Sequence, residues 1–306
     1  MALLGFCLAG LLCGSCRTTP EETAFAPAYD LPADVDMNPD AGLGAPLVVA
    51  VRLADGGELP FVLDTGSLTT IFDKSLEPML GRRLEVDDLT LPRGKTEGDI
   101  YAAPRLYLGH TRLMTLATKV MAIDLEQPRG HRIAGILGMD VLGHYCLQLD
   151  FEHRKIHFLP QQALRRTDVG AAYPLIYSNQ GLSEPKGFDP LMCHSSLVGG
   201  KAGLMLVDTG CNIDGLFQRR QFQQARRQPG ASLVGSNTVA IPSIVWDGGT
   251  YTNLFIDLWP AKTSFLKVDL LGLAFLARHL VTLDFPDQVM YLKQTSVGPV
   301  SKQAGP

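Results

Sequence analysis

Two segments of the chain align without a gap: "GILGMDVLGHYCLQLDF" at 135–151 and "DLLGLAFLARHLVTLDF" at 269–285. Leu137 matches Leu271, Gly138 matches Gly272, Leu142 matches Leu276, and Leu-Asp-Phe closes both. Self-similarity of this kind restricts the fold to one assembled from two like units. Each copy is followed by an alternating strand pattern, "KIHFLP" or "QVMYLK", and each lies downstream of an apolar run ending in Asp-Thr-Gly. Those runs are "FVLDTGS" at 61–67 and "LMLVDTGC" at 204–211. Between run and copy, "RLYLGHTRLMTLATKV" and "SIVWDGGTYTNLFIDL" read as hairpins turning at Gly109 and at Gly248–Gly249. "GMDVLGHY" and "GLAFLARH" predict a short helix after a glycine. The 31 Gly and 20 Pro favour many turns and short strands.

The expected organisation is a leader at 1–16, a flexible tether at 17–44, a first unit at 45–160, a linker at 161–172, a second unit at 173–296 and a tail at 297–306. A hydrophobic share of 46% with 19% charged residues suits an ordinary folded chain. The net charge of −4 gives no electrostatic case for nucleic acid or anionic lipid. No phosphate-cradling glycine loop of the G-x-x-x-x-G-K-[ST] or G-x-G-x-x-G kind occurs.

The pair of acids carries the chemistry. A lone carboxylate at the end of a buried strand loses water and is costly in its charged form. Two of them face to face share one proton and titrate in coupled steps. Such a pair can activate a water molecule, one carboxylate taking its proton and the other donating to the carbonyl oxygen under attack. Thr65 and Thr209 are expected to bond across to the opposite unit. Gly66 and Gly210 allow backbone N–H groups to approach the carboxylates closely.

The two apolar–Asp-Thr-Gly runs, with "ILG" at 136–138 and "LLG" at 270–272 downstream, resemble the retropepsin/pepsin superfamily of aspartic peptidases, with two units in one chain. The resemblance spans residues 45 to 293. It implies an all-β, acid-protease closed β-barrel fold, duplicated into two lobes with an active-site cleft between them. It also implies an aspartic endopeptidase with an Asp64/Asp208 dyad, one acid from each lobe. Ser67 fits the pepsin-like pattern, in which a hydroxyl supports the outer carboxylate oxygen, and Cys211 departs from it. "TLPRGKTEGDIYAAP" at 90–104 is the candidate substrate flap, with Gly94 and Gly98 as hinges and Tyr101 as a contact. Its counterpart is "ASLVGSNTVAIP". No metal or organic cofactor is implied. The implied partner is a peptide or protein substrate, bound by a monomer with an intrachain dyad. The alternatives are a catalytically inactive binding lipoprotein of the same fold, or units that pair between chains.

"MALLGFCLAGLLCGSC" is apolar yet too short to span a bilayer. It is similar to a bacterial lipoprotein signal, in which Gly14 and Ser15 precede an acylated Cys16. This places the protein in the cell envelope, lipid-anchored or secreted. Other acids and nucleophiles read as structural: Asp150 and Asp284 as turn formers, Asp140 as a surface or helix residue, and "RRQFQQARRQ" as a solvated face. His153 and His157 share a strand face without a third ligand. Cys193, His194 and Ser195 are adjacent along the chain and cannot face one another on a strand.

Overall fold

"FVL" is a continuous apolar run rather than an alternating one, and the surroundings of its strand explain why. The computed structural model describes residues 30–300 apart from 55, 92–93, 116, 129, 161–163, 165–167, 178–189, 194–196, 200–202 and 261–267. In it, strand Glu58–Leu63 runs parallel to Gly135–Leu137 on one side and antiparallel to Val48–Leu53 on the other. Pairing fills both edges of the strand; its successive side chains point to opposite faces, and the burial of all three shows that both faces are covered, which requires an unbroken apolar run. Phe61, Val62 and Leu63 are all buried, each contributing about 2 kcal/mol of transfer free energy.

The described residues are mostly β, with few and short helices. Leu31–Pro306 form one compact unit. A nine-stranded sheet holds the first Asp-Thr-Gly strand, and a thirteen-stranded sheet holds the second. Both ladders have a linear strand order with two ends.

The surroundings of the two Asp-Thr-Gly strands correspond. Leu204–Asp208 pairs parallel with Asp269–Gly272, which pairs antiparallel with Gly215–Phe217, which pairs parallel with Gly249–Leu258. On the first side the same sequence of pairings runs from Glu58–Leu63 through Gly135–Leu137 and Ile71–Asp73 to Lys119–Ile123. Next to these lie the hairpins of Glu85–Leu91 with Gly94–Ala102 and of Ser232–Val234 with Thr238–Trp246. The hairpin of Leu106–Leu108 with Thr111–Arg112 is an addition of the first side; it follows Gly94–Ala102 along the chain but joins the opposite end of the sheet, against Val48–Leu53.

Cys146–Asp150 pairs antiparallel with His279–Asp284, and Gln148 stands opposite Thr282. Those two residues occupy equivalent places in the aligned segments, so the register is centred as a two-fold relation requires. The Gln148 side-chain amide donates to the Thr282 hydroxyl at 3.0 Å.

The glycines of "ILG" and "LLG" lie against the loops that follow the acids. A β-carbon on Gly138 would stand 2.5 Å from the Thr69 carbonyl oxygen, and one on Gly272 2.1 Å from that of Ile213. The four-residue helices Met139–Leu142 and Leu273–Leu276 then direct their first amides at those loops. Met139 N–H donates to Ser67 O at 2.9 Å, and Leu273 N–H donates to Cys211 O at 2.6 Å.

The expected tether to residue 44 ends earlier. Val35–Asp36 pairs with Lys155–Ile156, and Met37 and Ala41 enter the core, because these small or flexible apolar groups fill space beside Phe151. The expected linker likewise yields to a strand at Ala171, and Val300 of the expected tail packs on the core. Asp140 is buried rather than on the surface, at 4% exposure. Among the described residues no helix is long and apolar enough to cross a membrane.

Candidate active site

Strands Glu58–Leu63 and Leu204–Asp208 deliver Asp64 and Asp208 to the same place, and two buried threonines hold the loops together. The Thr65 hydroxyl donates to Val207 O at 2.7 Å and accepts from Thr209 N–H at 3.1 Å. The Thr209 hydroxyl donates to Leu63 O at 2.7 Å and accepts from Thr65 N–H at 3.0 Å. Each hydroxyl is thus used twice, as donor and as acceptor, by the other loop. Four buried hydrogen bonds of about 1 kcal/mol each, with a desolvation cost if any is left unmade, keep the loops in register.

The Asp64 and Asp208 side chains are hydrogen-bonded to each other. Gly66 N–H donates to Asp64 at 2.8 Å, while Gly210 and Cys211 N–H donate to Asp208 at 2.8 and 3.1 Å. The glycines approach the opposite acid. A β-carbon on Gly66 would fall 2.6 Å from the Asp208 carboxyl carbon, and one on Gly210 2.5 Å from that of Asp64. Only hydrogen fits at either position. Burial raises both carboxyl pKa values above the ordinary range. For Asp208 the charge of Asp64 and the hydrogen bond between the two add to burial, so its proton is held the more tightly. Asp64 also accepts from the amides of Ser67 and Gly210, which favours its ionised form. The pair therefore favours a state in which the two carboxyl groups share one proton. Both residues remain half-buried rather than sealed, so water reaches them.

Residues 49–141 match the family model described as aspartyl protease. This segment is of the retropepsin/pepsin-like aspartic peptidase superfamily. The match contains Asp64, Thr65, Gly66 and the "ILG" motif, whereas Asp208 lies beyond it. A comparison with curated proteins returned no match.

Within the aspartyl protease segment three expectations change. The Ser67 hydroxyl donates to Thr69 O at 2.9 Å, so it closes its own turn, and the Ser67 contribution to Asp64 is its backbone N–H. Tyr101 is buried in the core with its hydroxyl bonded to Glu77, so it is not a surface contact of its hairpin. Gly98 acts by close packing, since a β-carbon there would meet Met121 at 2.5 Å. The Cys211 thiol is half-buried and free, and burial next to Asp208 raises its pKa, leaving it a neutral neighbour of the dyad.

Cys16, His194 and Ser195 lie outside the described residues. His153 pairs with Asp150 and His157 with Asp34. Asp284 accepts from Asp287 N–H in a turn, as its pattern predicts. Among the described residues no cluster of three or more His, Cys, Asp or Glu could hold a metal. A cavity of about 590 Å³ bounded by Met37, Asp40, Phe151, Arg154, Thr295 and Val300 includes none of the active-site loop residues.

Two supports beside the loops escaped the sequence reading. In the first half the Thr70 hydroxyl donates to Asp140 at 2.8 Å and accepts from Gly138 N–H at 3.2 Å. In the second, Asp214 meets Arg278 at 2.7 Å and accepts from Phe255 N–H, while its carbonyl accepts from Gly272 N–H. An acid immediately after "ILGM" was the available signal for the first. Arg278, embedded in "FLARHLV", was the signal for the second.

Proposed function

We propose that the protein is an aspartic endopeptidase with an intrachain Asp64/Asp208 dyad between two pepsin-like lobes, about 45–160 and 173–296, each a β-barrel around its own part of the core. The observation that carries this reading is the reciprocal Thr65–Thr209 bonding, which draws the two carboxyl groups into hydrogen-bond contact within one polypeptide. That two such aspartates share one proton is known of aspartic proteases and is borrowed from them here. Asp64, ionised, takes a proton from water as the water oxygen attacks the peptide carbonyl carbon. Asp208 gives its proton to the carbonyl oxygen, producing a neutral tetrahedral diol. Collapse of the diol, with a proton passed to the amine, breaks the C–N bond and leaves an acid and an amine. No step calls on a metal or an organic cofactor.

An extended peptide bound between the lobes would pair its backbone beneath the hairpin Glu85–Leu91/Gly94–Ala102, with Ser232–Val234/Thr238–Trp246 as the opposite wall. The test is a peptide library incubated with the wild type, Asp64→Asn, Asp208→Asn, and the two variants mixed. The expected result is cleavage by the wild type alone. Activity restored by mixing would replace the intrachain dyad with pairing between chains.

The leader reading completes the proposal: acylation at Cys16 would tether the enzyme to a membrane of the bacterial envelope. Metabolic labelling with an alkyne fatty acid should mark the wild type and not Cys16→Ser. Equal labelling of both would remove the anchor.

A further inference from the structure

The first half of the site rests on a buried acid that the dyad chemistry does not use. Asp140 follows the "ILG" strand, is 4% exposed, and receives the hydroxyl of Thr70, itself 1% exposed. That hydroxyl also accepts from Gly138 N–H, so one short relay joins the helix Met139–Leu142 to the end of the Asp64 loop. The same helix start grips the loop's backbone, through Met139 N–H to Ser67 O at 2.9 Å and Asp140 N–H to Leu68 O at 3.1 Å. A displacement of Asp140 is therefore transmitted to residues 67–70, directly after the acid.

The second half solves the same problem differently. There the acid beside the loop is Asp214, and its charge is answered by Arg278 at 2.7 Å. Among the described residues no lysine or arginine pairs with Asp140. The titratable group on its own turn is His144, whose ring bonds the Asp140 carbonyl and whose protonation burial disfavours. The loop packed against it, Ser67 to Thr70, holds no ionisable side chain; the acids flanking that loop along the chain are Asp64 before it and Asp73 after it. An ionised Asp140 has the Thr70 hydroxyl and nearby amides, but no counter-charge.

We propose that Asp140 is a positioning residue for the Asp64 loop: its neutral carboxyl stays buried and keeps Thr70 in register, whereas the ionised carboxylate, buried without a counter-charge, favours local opening to water even against the Thr70 bond. The inference deepens the peptidase reading and rests on it only for the consequence for catalysis. Burial raises the Asp140 pKa to about 6, which places the change in the mildly acidic range. Because the folded-state pKa is raised, the stability Asp140 supports is complete below the ordinary carboxylate range. It is lost as pH rises through about 6. On the other half burial also raises the Asp214 carboxyl pKa, but there Arg278 at 2.7 Å answers the charge once it forms.

The experiment is hydrogen exchange of residues 64–70 at pH 5 and pH 7.5, corrected for intrinsic rates, together with kcat and KM on a cleaved library peptide. Wild type, Asp140→Asn and Thr70→Val are compared. Asn keeps an acceptor for Thr70 and cannot ionise. In the wild type, protection of the loop should fall about tenfold or more between the two pH values, and kcat should fall with little change in KM. In Asp140→Asn both should be nearly flat with pH. Thr70→Val should lose protection and kcat at pH 5 already. A wild-type loop whose protection is the same at both pH values overturns the proposal, and so does an equal loss in Asp140→Asn. A protein that cleaves nothing while its loop still switches refutes the peptidase reading and leaves the role of Asp140 intact.

Discussion

Asp208→Asn is expected to abolish the proposed peptide hydrolysis, lowering kcat by at least about 10³-fold, yet to fold and to outlast the wild type in alkaline solution. Asparagine imitates the protonated form of Asp208: it can still donate to Asp64, but it has no proton to give to a carbonyl. The stability effect follows from the same hydrogen bond. Burial and the Asp64 charge raise the folded-state pKa of Asp208 well above its ordinary value. Its contribution to stability is therefore complete in acid and is lost as pH rises through that raised value, when two carboxylates must face each other. The variant never meets that second charge. Melting curves of the two proteins should coincide near pH 5 and separate at pH 9, with the variant higher. Residual activity within tenfold of wild type, or an alkaline melting temperature below it, would contradict a proton held on Asp208.

Arg278→Met carries the largest expected cost in stability, about 3–5 kcal/mol. Arg278 is fully buried and Asp214 is 3% exposed, so removing the guanidinium strands a carboxylate where water cannot reach it. Arg278 also donates to the carbonyls of Thr252 and Asn253, which become unsatisfied acceptors. Asp214 holds the Phe255 amide and, through its backbone, Gly272, so the damage should spread to the loop bearing Cys211. Joining Asp214→Leu to Arg278→Met removes the stranded charge and should recover a good part of the loss, because the penalty lies in the unpaired ion rather than in the missing bridge. Urea titrations of the single and double variants measure this. Equal midpoints for the two would show that the buried charge is not what the arginine compensates.

That two acids stand at the ends of buried apolar strands was legible from the two Asp-Thr-Gly runs, and so were the hairpin turn at Gly248 and the short helices after Gly138 and Gly272. These are local patterns: a strand signals itself by apolar residues, and a turn by glycine. The contact of Tyr101 and the burial of Asp140 were misread for one shared reason, whereas Ser67 closes its own turn onto Thr69. A side chain's partner belongs to another part of the chain, and nothing beside Tyr101 in sequence reveals Glu77 behind it. The segment 35–44 misled by its polar, proline-bearing composition, although Met37 and Ala41 suffice to dock it once Phe151 and its neighbours form a surface.

The amino-acid order by itself determined which residues carry charge at strand ends, where strands must be apolar on both faces, and that two stretches of chain obey one pattern. It did so because those properties depend on neighbours a few positions away. Only the tertiary structure decided that Thr65 and Thr209 exchange hydrogen bonds across 144 positions, that Gly66 lies against Asp208, and that one buried support is paired with arginine while the other is held by a threonine hydroxyl. Those outcomes depend on distances between segments remote in sequence. The energy of a buried carboxyl group is set by whichever donors and charges the fold brings to it.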